Sequence, residues 1–158
     1  HLVNARSQLV GISTDLSNQL RSVLKTFGLR ARRRAGGAFE AKVRQSLANR
    51  REVAAVAEPL LTVWWTVRNE IAGLDRWIMA AAKDDPTCRL LMTCPGVSAV
   101  NATSFSAAVK APGHFRRSRS VGAYLGPTQR QHQSGEMDRS AGVSKHGDKL
   151  LRSYLFEA

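Results

Sequence analysis

Ser134 is the residue in this chain best placed to do covalent chemistry. It is followed by Gly135, in a polar stretch that runs from Tyr124 to Lys149 and is rich in glycine and basic residues. Loops longer than about 12–15 residues are uncommon in compact domains and are usually functional or disordered. A serine that attacks a phosphodiester needs an exposed hydroxyl beside a small residue, and cations for the charge that develops on the phosphoryl oxygens. Gly135 provides the room, and Arg130, Arg139, Lys145 and Lys149 are the cations within reach in sequence. By residue type alone, a Ser-Gly pair is more often an ordinary turn.

Other chemistries have weaker support. His114, His132 and His146 are irregularly spaced and lack a carboxylate pair, so they read as exposed loop histidines rather than metal ligands. Glu136 and Asp138 are two carboxylates in a polar loop, and Mg²⁺ usually needs substrate phosphates besides. No cofactor or metal is expected within these residues. Cys88 and Cys94 have the spacing of neither a disulfide framework nor a zinc site and are expected to be buried small hydrophobes in a reducing cytosol.

A second kind of chemistry, phosphate binding, is suggested upstream. Cys94-Pro-Gly-Val-Ser98 separates two helical stretches, as in a helix-hairpin-helix element, where turn amides and a helix N-terminus hold a backbone phosphate. Gly96 and Ser98 are the candidate contacts, although the usual element has a second glycine where Ser98 stands. Arg116, Arg117 and Arg119 form a further basic cluster. The formal net charge of +12 makes a polyanion the expected partner. Its arginines sit largely in glycine-bearing loops rather than beside an inserting segment, which favours nucleic acid over a membrane surface. No stretch reaches the ~18 apolar residues that span a bilayer.

The elements that must position these residues are helical. Leu2, Leu9, Ile12, Leu16, Leu20, Val23, Leu24 and Phe27 predict one amphipathic helix over 2–27, with Gly28 as its C-cap. A basic connector with Gly36-Gly37 follows. Val53, Ala57, Leu60, Trp64, Val67, Ile71, Leu74 and Ile78 alternate steps of four and three, the a/d seam of a coiled coil, within a helical stretch over 39–82. Pro59 is expected to kink or restart it. Either helix 2–27 or a second protomer covers this seam. The tryptophans Trp64, Trp65 and Trp77 read as core packing, with base stacking on Trp65 the lesser alternative. Pro86 ends the long helix. Beyond it the spacing predicts helices over Ala99–Val109, Ser120–Leu125 and from about Asp148, and no run requires a strand. The fold class is mainly α: long coiled-coil-like helices (1–86), then a small helical domain (87–158) with long polar loops. The chain begins at His1 and stops inside an expected helix, so a piece of a longer protein is expected.

The order of motifs is more specific than any one of them. Pro95-Gly-Val, His114-Phe-Arg-Arg-Ser-Arg-Ser120, Val121-Gly-Ala-Tyr-Leu-Gly-Pro127, Gln133-Ser-Gly135, Val143-Ser-Lys-His-Gly-Asp148 and Leu151-Arg-Ser-Tyr154 form a series. This series resembles the C-terminal domain of insertion-sequence transposases related to the Piv DNA invertase. The resemblance implies a recombinase of double-stranded DNA that pairs a RuvC-like domain bearing four acidic Mg²⁺ ligands with a serine nucleophile. It also implies a structured bridging RNA, a homo-oligomer through 39–82, and a bacterial, cytoplasmic and nucleoid-associated setting. Residues 1–28 look like the tail of the RuvC-like domain, and the family's serine falls on Ser134, although Ser120, Ser140 and Ser144 also lie in motif surroundings. The chain departs from the pattern at Glu136, where a second glycine is usual, and it lacks the acidic tetrad. Taken alone it is expected to be inactive. The alternatives are a non-catalytic helix-hairpin-helix module that binds nucleic acid, and a purely structural helical dimer.

Overall fold

Three apolar stripes, each with a step of four residues, build the first half of the chain. The computed structural model describes residues 1–29, 37–110, 113, 115–126, 129–134, 137–143 and 147–157. In chain order the elements are α1 (Leu2–Thr26), α2 (Gly37–Leu47), α3 (Arg51–Asp84), α4 (Pro86–Leu91), α5 (Ala99–Ala108), α6 (Ser118–Leu125), β1 (Gln129–Ser134), β2 (Met137–Val143) and α7 (Lys149–Glu157). The protein is mainly α, as the periodicity predicts. It forms two compact units, His1–Asp75 and Arg76–Ala158, with the division falling inside α3.

In the first unit, Leu20 and Leu24 of α1, Phe39, Val43 and Leu47 of α2, and Val53, Ala57, Leu61 and Trp64 of α3 form one buried cluster. Each set recurs at helical spacing, so each helix presents one apolar stripe to a shared core. Burying each of the larger side chains contributes about 1.5–3 kcal/mol. The Phe39 and Trp64 rings pack with centroids 5.2 Å apart, and the Arg68 guanidinium lies over Trp64. Helix α1 therefore folds back on the N-terminal half of the expected seam, together with α2. An Arg6–Asp75 ion pair ties its other end to α3. Trp65 stays 41% exposed, outside this core.

Local chemistry sets the boundaries. Helix α1 ends in a Schellman motif: Gly28, at φ +74°, donates to Lys25 O and Leu29 N–H reaches back to Leu24 O at 2.8 Å. The expected single helix over 39–82 is two helices. Arg50 N–H closes a turn onto Leu47 O, so the stripes of α2 and α3 can face the same core. Arg50 Nη1 also donates to Phe27 O. Pro59, in contrast, lies within α3 without ending it. Both Pro59 and Ala55, whose carbonyl loses the amide partner that proline lacks, are exposed to solvent.

In the second unit Asp85 caps α4 by accepting from Thr87 N at 2.8 Å, with Pro86 at the first helical position. Helix α5 packs against both α4 and α7. Asn101 Nδ2 donates to Tyr154 O and fixes the α5–α7 contact. A second core gathers Val109, Leu125 and Leu151, with Phe105, Phe115, Val121 and Leu155 around them. The polar stretch read as a long loop is instead largely an antiparallel ladder, β1 with β2, irregular between Gln129 and Arg130. Its residues, Gln-Arg-Gln-His-Gln-Ser opposite Met-Asp-Arg-Ser-Ala-Gly-Val, lack apolar alternation. A polar two-stranded ladder gives no period-two signal to read.

Candidate nucleic-acid interface and nucleophile

Ser134 is the last residue of β1 and pairs with Met137, the first residue of β2. It therefore stands at the tip of the hairpin, with Gly135 and Glu136 outside the described residues. The register sets His132 opposite Arg139 and Arg130 opposite Ala141. With the two-residue period of a strand, Arg130, His132, Ser134 and Arg139 fall in one alternating set, and Gln131, Gln133, Asp138 and Ser140 in the other. Three of the sequence-derived candidates thus share a ladder. Lys145 lies outside the described residues, as do His114 and His146.

The helix-hairpin-helix-like turn has a defined geometry. Gly96 takes φ +89°, and Val97 N–H closes the turn onto Cys94 O at 3.2 Å. Ser98 is the N-cap of α5: its Oγ accepts from Asn101 N and also bonds Asn101 Oδ1. The hydroxyl that stands in place of the usual glycine is therefore committed to capping, which starts α5 where the turn ends. Cys94, expected to be buried, is exposed because it opens this turn, whereas Cys88 is buried.

The Cys88 thiol donates to Asp85 Oδ2 at 3.2 Å, and Ser106 Oγ donates to the same oxygen at 3.0 Å. These bonds, the thiol's first, and the Thr87 amide hold the Asp85 carboxyl below its ordinary range. Burial, then the neighbouring carboxylate, pushes the thiol up. The cluster ties α4 to α5, and a thiol held neutral is a poor nucleophile.

Arg116 and Arg117 are exposed just before α6, with Arg117 at the N-cap position. The helix begins two residues earlier than the sequence suggests, so Arg119 lies within it. Lys149 opens α7, and Asp148 caps that helix by accepting from Leu150 N and Leu151 N. Gly147, at φ +84°, lies against the end of α6, where a Cβ would stand 2.7 Å from Tyr124 O. The candidates thus fall into separate groups within the second unit. The Gly96–Ser98 turn lies at the N-terminal end of α5, and Lys110 lies past the C-terminal end. A helix of ten residues puts these about 15 Å apart. Sequence reasoning passed over Lys110 and Tyr124, which line a cleft at that far end. The only hint in the sequence was a glycine, Gly147, in a basic run.

Among the described residues, no three His, Cys, Asp or Glu side chains converge as metal ligands, and no helix is long and apolar enough to cross a membrane.

Residues 88–158 match the model of a family described as Transposase IS116/IS110/IS902. The chain is 32% identical to a probable family 20 transposase of Pseudomonas aeruginosa, over 95% of this chain and 46% of that protein. It is 30% identical to the transposase for insertion sequence element IS1111A of Coxiella burnetii, over 98% of this chain and 43% of the relative. It is 27% identical to the transposase for insertion sequence element IS1328 of Yersinia enterocolitica, over 99% and 47%. The chain spans about half the length of these curated relatives.

Proposed function

We propose that this chain is part of an insertion-sequence transposase that binds DNA and cuts and rejoins it with Ser134 as the nucleophile, on the similarity of residues 88–158 to the IS116/IS110/IS902 transposase family. The family match over the second unit carries this reading, because it covers the motif series in which Ser134 sits. The hairpin supports it. Its register sets Ser134 in the last pair of the ladder, with Arg130 and Arg139 at positions of the same alternating set. In the proposed step, Ser134 Oγ attacks a DNA phosphorus and the phosphoserine bond forms as the bond to the leaving deoxyribose oxygen breaks. The proton lost by Oγ ends on that oxygen, and the arginines offset charge on the phosphoryl oxygens.

The remainder of the assembly belongs to the same proposal. Acidic residues of a RuvC-like domain elsewhere in the protein would hold Mg²⁺, which would polarise the scissile phosphate when bound. A structured RNA that bridges two DNA sites, self-association through 39–82, and a bacterial cytoplasmic location follow from the resemblance. The test is strand exchange by the whole transposase with its nucleic-acid partners. Ser134→Ala should abolish exchange and remove a protein–DNA adduct stable to denaturation but cleaved by base. Exchange at the normal rate by the Ser134→Ala protein would assign the nucleophile elsewhere.

A second reading keeps the binding and drops the chemistry: a helix-hairpin-helix module acting through the Gly96 turn. The positive φ of Gly96 and the cap at Ser98 favour it. Under that reading the Ser134→Ala protein stays active, while removing Arg116, Arg117 and Arg119 together abolishes binding.

A further inference from the structure

We infer that the cleft between the C-terminal ends of α5 and α6 and the turn before α7 receives an unpaired base of a DNA strand. Its volume is about 660 Å³, and Ala107, Ala108, Lys110, Tyr124 and Asp148 line it. Sites for small molecules typically measure about 300–1,000 Å³, so one nucleotide fits. The inference rests on the reading of the second unit as DNA-binding, and it names the state of the DNA that this unit recognises.

Four features point to a base. Tyr124 offers a stacking surface: its side chain is 58% exposed, and Phe115 packs against the ring at 5.5 Å and 62°. Aromatic rings held in this way stack bases of every sequence, because each base has a π-face. Ala107, Ala108 and Ala123 end at Cβ, so no longer side chain from these positions fills the space. The wall carries an acceptor: Asp148 lines the cleft, and its Oδ1 accepts from Leu150 N and Leu151 N while Oδ2 is left for a ligand. Acceptors suit the exocyclic amino groups that adenine, cytosine and guanine carry, and such a wall would repel the carboxylates of an acidic peptide. In the lining, Lys110 has no ion-pair partner among the described residues and can meet a flanking phosphate, and Lys149 follows the lining residue Asp148 in sequence. A paired base cannot enter such a cleft, because its edge is already bonded and both of its faces are stacked.

The geometry is fixed rather than incidental. Gly147 lies directly against the Tyr124 and Leu125 carbonyls, with space for no side chain. Leu125 and Leu151 are buried in the core behind it.

The test uses the chain of residues 1–158 with two DNA duplexes of one sequence, one fully paired and one carrying a single unpaired 5-iodo-deoxycytidine, which keeps the exocyclic amino group. Fluorescence anisotropy gives the affinities, and photo-crosslinking followed by mass spectrometry gives the contact residue. The unpaired base should tighten binding about tenfold, with the crosslink on Tyr124. Tyr124→Phe should keep that gain and Tyr124→Ala should lose it. Should the alanine variant fail to fold, the crosslink on the unaltered chain decides. A crosslink confined to other residues overturns the inference, as does an equal gain in a folded Tyr124→Ala protein, or a gain seen only when the same strand is RNA. If the paired duplex binds and the unpaired base adds nothing, the cleft assignment alone falls. If neither duplex binds, the DNA reading falls and this inference with it.

Discussion

A single glycine and a single carboxylate show how much of the second unit depends on individual atoms. Gly147 is required twice, by its φ of +84° and by the 2.7 Å that would separate a Cβ from Tyr124 O. Gly147→Ala should therefore destabilise the chain by about 1–3 kcal/mol, read as a lower urea midpoint. A Gly28→Ala change, which meets a positive φ but open space, should cost less. Asp85 is held ionised by the Cys88 thiol, the Thr87 amide and the Ser106 hydroxyl. Because its folded value is depressed, its contribution is present above the unfolded carboxylate value, near ~4, and is lost as pH falls through the lower folded value. Cys88 has the opposite sign: its raised value contributes below the unfolded thiol value, about 8.5, and that contribution is lost as pH rises through the folded one. Urea unfolding between acid and neutral pH should show a steeper loss of stability in the unaltered chain than in Asp85→Asn. Parallel curves would show that the cluster contributes nothing. Ser134 stands out as a candidate only through the order of its flanking motifs, since Ser-Gly by itself describes a turn.

Among the elements, the long helices were readable and the hairpin was not. The step-four stripes on α1, α2 and α3 are the periodicity of one buried face. The same pattern allowed a second protomer to cover the seam, and here the chain's own α1 and α2 pack on its N-terminal half. Trp64 sits at the centre of that packing, 3% exposed, against Phe39 and beneath Arg68. Trp64→Ala should cost about 3–5 kcal/mol, whereas Trp65→Ala, at a half-exposed position, should cost much less. Thermal or urea unfolding compares the two. Ser98→Ala, which removes the α5 cap, should cost about 1 kcal/mol without abolishing the fold. A loss several times larger would mean that the Asn101–Tyr154 contact depends on the cap as well.

For the whole molecule, the governing quantity is the net charge of +12. Binding to DNA should weaken steeply with salt, with a slope set by the number of phosphates neutralised. Replacing Arg116 and Arg117 by glutamine should lower affinity uniformly across sequences and reduce the slope by about two. An unchanged slope in an anisotropy titration would place the phosphate contacts elsewhere.

By itself the sequence determined the helical class, the apolar stripes, the caps at Gly28 and Asp148, the basic character, and the motif order that makes residues 88–158 similar to the IS116/IS110/IS902 transposases. Each of these is a local or cumulative property, carried by residue type and short spacing. Only the tertiary structure decided what covers the seam, that Pro59 continues a helix while Asn49 and Arg50 interrupt one, and that a polar run pairs with itself across a register. The structure alone also showed that Lys110, Tyr124 and Asp148, far apart in sequence, line one cleft. Those outcomes depend on which backbone groups find partners and which surfaces meet, and no spacing rule along one segment encodes them.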